Sequence, residues 1–239
     1  MKLVDEHIKS YIDDIKEVGL LKYLTFGGSD VAFAWIGKYE PSTRSDDAEL
    51  VSLARCNRTH YVFYRTLLQC YVTKRGTVLD VGCGSGQRAA MLSRYSERIV
   101  GIDNDMSKLS AAAHMNGAEN IRWVFGDFME WSKTTPWKYD AIFAVEVIEH
   151  VAHNSQEKMI ETMVGMIADD GVLMITTPRY IPRILVAPHV GLWDDDMAEE
   201  MRARFSATLG SFSRDVAEKT DSAFCRPDEA SHYVMVIKK

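Results

Sequence analysis

Val78-Leu79-Asp80-Val81-Gly82-Cys83-Gly84-Ser85-Gly86 is the stretch on which the reading of this chain turns. A short apolar run, suited to a buried strand, passes into three alternating glycines and then into the helix-forming Gln87-Arg88-Ala89-Ala90. Glycines permit a tight turn and let a ligand come close to the backbone. The start of the following helix offers N–H groups without intrahelical partners. The spacing departs from the dinucleotide pattern Gly-x-Gly-x-x-Gly, because the third glycine comes one residue early and position 87 is Gln. Asp80, two residues before the first glycine, suits a ligand with an ammonium group rather than a pyrophosphate. Gln87 and Asp80 therefore disfavour an NAD-dependent oxidoreductase.

Downstream the same design repeats. Ile99-Val100-Gly101-Ile102 ends in Asp103, Val124-Phe125-Gly126 in Asp127 and Phe128, and Ala141–Val145 in Glu146. An acid at the end of the second strand can accept bonds from both hydroxyls of a ribose. Asp127 is placed to accept an adenine amino group, with Phe128 packing near the ring. Strands are expected at 78–81, 99–102, 121–125, 141–145 and 172–176, with helices near 87–95, 107–116 and 155–168. This alternation argues for a parallel sheet covered by helices on both faces. A helix near 194–209 and strands at 211–218 and 232–237 complete the reading. The ligand of such a sheet binds at the C-terminal edge of its strands.

The order of these elements resembles the class I S-adenosylmethionine-dependent methyltransferases, closely over residues 77–180 and loosely elsewhere. VLDVGCGSG is similar to that family's cofactor loop, GID to its ribose acid and GDF to its adenine acid. EVIEHV, followed by an apolar strand and Thr-Pro, resembles a branch of small-molecule O-methyltransferases. The resemblance implies a Rossmann-like, doubly wound, mostly parallel seven-stranded sheet with an antiparallel last strand. It implies S-adenosylmethionine as cofactor and S-adenosylhomocysteine as product. Asp80, Gly82, Gly84, Gly86, Asp103, Asn104, Asp127, Phe128 and Val145 form the expected cofactor set. Asp169-Asp170-Gly171 stands where the family usually has Pro-Gly-Gly, with Gly171 expected to supply the flexible position.

Methyl transfer requires nucleophile and methyl group to be held in line, and a hydroxyl acceptor must lose its proton. Histidine suits that task near neutral pH. His150, just after strand four, is the candidate base, with His153 three residues on. A second reading makes Glu146, Glu149, His150 and His189 ligands of a divalent metal, since two carboxylates and two imidazoles suit Mg, Mn or Zn. Such a metal would polarise vicinal hydroxyls. This pattern resembles the small-RNA 3′-terminal 2′-O-methyltransferases, which carry Glu-x-x-Glu-His and a later histidine. A third reading is a cofactor-binding module without catalysis. A bracing role for Glu149 and His150 stands beside all three.

Residues 1–76 are read as an N-terminal helical cap and 77–239 as the main domain. Leu3, Ile8, Ile12, Ile15 and Val18 recur at helical spacing, and a second helix is expected from about Arg58 to Val72. Arg58-Thr59-His60-Tyr61-Val62-Phe63-Tyr64-Arg65 resembles a lid helix of methyltransferases in glycan and polyketide pathways, which would bring Tyr64 or Arg58 towards the methionine carboxylate. A bundle of core aromatics with a solvated Arg explains the same residues.

The balance of the 239 residues, 46% hydrophobic with a net charge of −6, offers no global basic field for nucleic acid or anionic membrane. The resemblance to the small-molecule branch implies a small-molecule acceptor, a sugar or biosynthetic intermediate, and the acidic balance counts against a nucleic acid. Four cysteines at 56, 70, 83 and 225 form no C-x-x-C pair, which argues against a zinc site or disulfide framework. The charged N-terminus reads as neither signal peptide nor membrane span, so a cytoplasmic location is expected.

Overall fold

A computed structural model describes residues 76–93, 95–115, 118–179, 189–212 and 232–239. The expected N-terminal helices, with Arg58 and Tyr64, lie outside the described residues. So do residues 213–218 of the expected sixth strand.

Thirteen elements follow in chain order among the described residues. They are β1 (Thr77–Val81), α1 (Gln87–Leu92), β2 (Arg98–Asp103), α2 (Met106–Met115), β3 (Ile121–Phe125), α3 (Phe128–Ser132), β4 (Tyr139–Val145), a 3₁₀ turn (Ile148–His150), α4 (His153–Gly165), β5 (Ile167–Pro178), α5 (Asp195–Arg204), β6 (Thr208–Phe212) and β7 (His232–Lys238). The seven strands form one sheet in the order β3-β2-β1-β4-β5-β7-β6. The first five pair in parallel. β7 runs antiparallel to both neighbours, β5 and β6. The order reverses direction between β1 and β4, and there an open α/β sheet forms its ligand crevice.

The sheet explains the sequence pattern. Alternate residues of one strand face opposite layers, so β1 sends Leu79 and Val81 to one core and Val78 to the other. The first core joins Ile102, Ile142, Ala144 and Ile175 to Met159, Ile160 and Met163 of α4 and to Trp193. The second joins Ile99, Phe143, Val145 and Met174 to Ala89 and Leu92 of α1. β1 and β4 are buried on both faces, which is why their sequences are mostly apolar, with Asp80 the buried exception in β1.

Three details differ from the expectation. α3 is a short helix started by Asp127, whose side chain accepts a hydrogen bond from the Glu130 amide; five residues give a periodicity argument too little length. β6 starts at Thr208, inside the stretch assigned to the preceding helix. That helix ends at Arg204, and Ser206 takes a positive φ of 50°. In the turn before the central part of β5, Asp170 rather than Gly171 takes the left-handed conformation, at φ 63°. Gly171 is needed for space: an added Cβ would lie 2.7 Å from Ile167 Cγ2 and 3.0 Å from the Tyr139 carbonyl.

Candidate functional site

A cleft of about 900 Å³ opens along the C-terminal ends of β1, β2, β3 and β4. Gly82, Gly84, Asp103, Asn104, Asp127, Phe128, Glu146 and His150 all line it, so most of the expected site converges. Asp80, Gly86 and Val145 sit elsewhere. Val145 is 5% exposed and belongs to the α1-side core.

The glycine loop divides its labour. Gly84, at φ 53°, has open space where a Cβ would project and so leaves room for a ligand. Gly86 is a packing position, where a Cβ would collide with the indole of Trp123. The same indole lies 2.7 Å from where Gly101 would carry its Cβ. Trp123 thus requires two glycines, a coupling that their spacing in sequence does not announce. Cys83 is no nucleophile here. It is buried, and burial pushes its thiol pKa up.

Asp103 is held from both sides, by the Gly84 amide on Oδ2 at 2.7 Å and the Asp105 amide on Oδ1 at 2.8 Å. Each oxygen keeps a lone pair for a ribose hydroxyl. Asp127 uses Oδ1 to accept the Glu130 amide at 3.0 Å. Asp80 is fully buried beneath the loop on the α1 side and pairs with Arg88, whose Nη2 lies 2.6 Å from Oδ1. Burial raises its pKa while Arg88 opposes the shift. The charge expected to meet a ligand ammonium therefore meets Arg88, which also reaches the Gly82 carbonyl at 3.4 Å. Oδ2 of Asp80 has no hydrogen-bond partner among the described residues.

A second polar group lies past β4. Glu146 holds a left-handed backbone at φ 55°, a strained conformation for a residue with a side chain. It is fixed by Thr176, whose Oγ1 donates to Oε1 at 3.0 Å, and by His232 of β7, whose Nε2 lies 3.3 Å from Oε2. Glu149 is fully buried, and neither carboxylate oxygen meets hydrogen-bond geometry among the described residues, though the Thr177 hydroxyl and a backbone amide lie near enough to oppose part of its pKa shift. Burial, reinforced by the charge of Glu146, pushes its pKa up to about 8. His150 and His189 approach it, their Nε2 atoms 3.9 and 3.8 Å from Oε1. Ligand atoms of Glu149, His150 and His189 lie within 4.8 Å of one another. Of the four candidate metal ligands, Glu146 stands outside this trio. His153 begins α4 and is exposed.

The sequence reading missed His232, Gln156, Trp123 and Trp193. His232 reaches the site only through the β5–β7 pairing. Its strand is pinned by Arg179 and Tyr233. The Arg179 guanidinium donates to Asp195 Oδ1 at 2.6 Å and lies 4.9 Å from the Tyr233 ring, and the Tyr233 hydroxyl donates to the same oxygen.

Residues 78–171 match the model of a methyltransferase domain. The chain is 29% identical over 157 residues to the ubiquinone biosynthesis O-methyltransferase of Rickettsia felis, covering 62% of each chain. It is 32% identical over 105 residues to the mitochondrial enzyme of that name from Bos taurus, which is 42% of this chain and 28% of the relative. The match thus spans less than two thirds of the length of either relative. Among solved structures, N-methyltransferase NodS from Bradyrhizobium japonicum superimposes with a TM-score of 0.57 at 17% identity, over 77% of this chain and 96% of the other. That likeness concerns the fold.

Proposed function

We propose, from the premise that residues 78–171 form a methyltransferase domain with the Rossmann-like fold of the S-adenosylmethionine-dependent enzymes, that this chain methylates a hydroxyl oxygen of a small molecule. One observation carries the reading. Asp103, Asn104, Asp127, Glu146 and His150 share a single cleft at the point where the sheet order reverses. The open space at Gly84 and the two backbone-held aspartates fit an adenosyl group. When bound, the cofactor supplies a methyl group activated by its sulfonium. Asp103 would hold the ribose hydroxyls, Asn104 would lie beside them, and Asp127 and Phe128 would meet the adenine. His150, on the cleft wall past β4, takes the proton of the acceptor hydroxyl. The names of the relatives favour O-methylation of a biosynthetic intermediate, and the net charge of −6 disfavours a nucleic acid. Among the described residues no helix is long and apolar enough to cross a membrane. The cysteine spacing supports a cytoplasmic location.

A second reading is favoured by the buried Glu149 carboxyl, which faces two imidazoles. A divalent cation there would be held by Glu149, His150 and His189 and would acidify a nearby hydroxyl. Glu146 could join only by turning away from Thr176 and His232. A screen with methyl-labelled cofactor against sugars, phenols and RNA, with and without Mn²⁺, tests both. Metal-free turnover on a hydroxylated small molecule supports the first reading. Turnover only on RNA ends with Mn²⁺ replaces it with the second. Cofactor binding without turnover on any acceptor leaves a non-catalytic module.

A further inference from the structure

We infer that Gln156 is the positioning residue that sets His189 against Glu149 and His150. Gln156 lies in the first turn of α4 and is fully buried. Its Nε2 donates to the carbonyls of Ile148 at 2.9 Å, Val151 at 3.0 Å and Gly191 at 2.6 Å. Its Oε1 accepts the indole N–H of Trp193 at 2.8 Å. The amide has one tolerable orientation, because every partner of the nitrogen only accepts and the partner of the oxygen only donates. One neutral side chain thereby joins the turn that carries Glu149 and His150 to the segment 189–193 that carries His189.

Two further contacts make the junction tight. The amides of Val190 and Gly191 both donate to the Glu149 carbonyl, each at 2.9 Å. A Cβ on Gly191 would collide with the Val151 carbonyl and with Gln156 Nε2, so only glycine fits. The result is a His150–His189 ring separation of 4.7 Å. Gln156 occupies the leading position of the buried stripe Gln156, Met159, Ile160 and Met163. An apolar residue would serve packing there. It would also take away the donor of the Val151 and Gly191 carbonyls and the acceptor of the Trp193 indole N–H, while the Ile148 carbonyl would keep the Val151 amide. Gln156 does not line the cleft, so it acts through the histidines and touches no reacting atom.

The catalytic meaning of this placement rests on the proposed function, but its geometry can be read directly. Diethyl pyrocarbonate modifies accessible imidazoles, and the His189 side chain is 6% exposed while His114 and His153 are exposed. In the full chain His189 should react more slowly than those two. Gln156→Met should raise its modification rate by about tenfold or more, as expected from losing several buried hydrogen bonds, with S-adenosylmethionine affinity within about twofold of wild type. Trp193→Phe removes one bond and should raise the rate by roughly two- to threefold. It decides the matter if Gln156→Met does not fold. With an acceptor in hand, Gln156→Met should lower kcat and leave the KM for cofactor unchanged. Continued protection of His189 in a folded Gln156→Met or Trp193→Phe chain overturns the inference. So does loss of cofactor binding in step with His189 exposure, which marks general collapse. Absence of turnover on any acceptor would count against the proposed function alone, because the modification rates remain readable.

Discussion

The two halves of the site are built by different rules: the cleft wall on the β2–β3 side, and a polar group past β4 of which only Glu146 and His150 line the cleft. On the β2–β3 side each acid is tied to backbone amides close in sequence or across one strand pair: Asp103 to Gly84 and Asp105, Asp127 to Glu130. Past β4 the polar groups come from the 3₁₀ turn, the segment near His189 and β7, and neither oxygen of one buried carboxylate meets hydrogen-bond geometry among the described residues. The first half is a preformed cradle whose charges are satisfied before any ligand arrives. The second is an assembly of side chains from distant segments, Glu146 held by Thr176 and His232 and Glu149 approached by two imidazoles. Buried groups left without partners are costly, so they persist where function uses them.

The contrast can be broken most sharply at His150. His150→Ala should slow turnover by roughly 10²–10⁴-fold while cofactor affinity holds. A near-wild-type rate in the labelled-methyl assay would remove it from the chemistry and make the second half merely structural. Glu149 offers a thermodynamic version. The folded protein holds the Glu149 proton up to about pH 8, whereas an unfolded chain releases it near its ordinary value of 4.5. The folded state thus binds more protons in that window, and stability should fall as pH rises from about 4.5 to about 8, then level off. Urea titrations should show this decline in the wild type, at most about 1.4 kcal/mol per pH unit, and much less of it in Glu149→Gln. A decline that disappears on adding Mn²⁺ would favour the metal reading.

The first half answers to smaller effects. Asp103→Ala should weaken S-adenosylmethionine binding by about 1–3 kcal/mol through lost charge-assisted hydrogen bonds, and calorimetry showing unchanged affinity would contradict the ribose role. Asp127→Ala removes a helix cap as well as the expected adenine contact. A stability loss of about 1 kcal/mol is expected from the cap alone, measurable by thermal unfolding without ligand.

What could be read from the sequence follows the same division. Asp103 and Asp127 were legible because a strand end, a glycine and an acid lie within a few residues of one another. Glu149, His150 and His189 were legible as residue types, but their convergence was not, since about forty residues separate the turn from His189. His232 carried no signal, because its place depends on β7 entering between β5 and β6. Gln156 did leave a trace: a lone amide among Met159, Ile160 and Met163 at helical spacing asks what it bonds. Trp123 left none, since a tryptophan on a half-exposed edge strand is ordinary, and only the fold lays it over Gly86 and Gly101.

The insertion of β7 has a cost in colloidal terms. It is the partner that seals both β5 and β6, so a chain that has not yet docked it presents two raw flanks in addition to the outer edges of β3 and β6. Exposed flanks of that kind recruit strands from other molecules. Loss or slow docking of residues 232–238 should therefore show first as self-association, ahead of any loss of helix or of the proposed cofactor cradle at β1–β3.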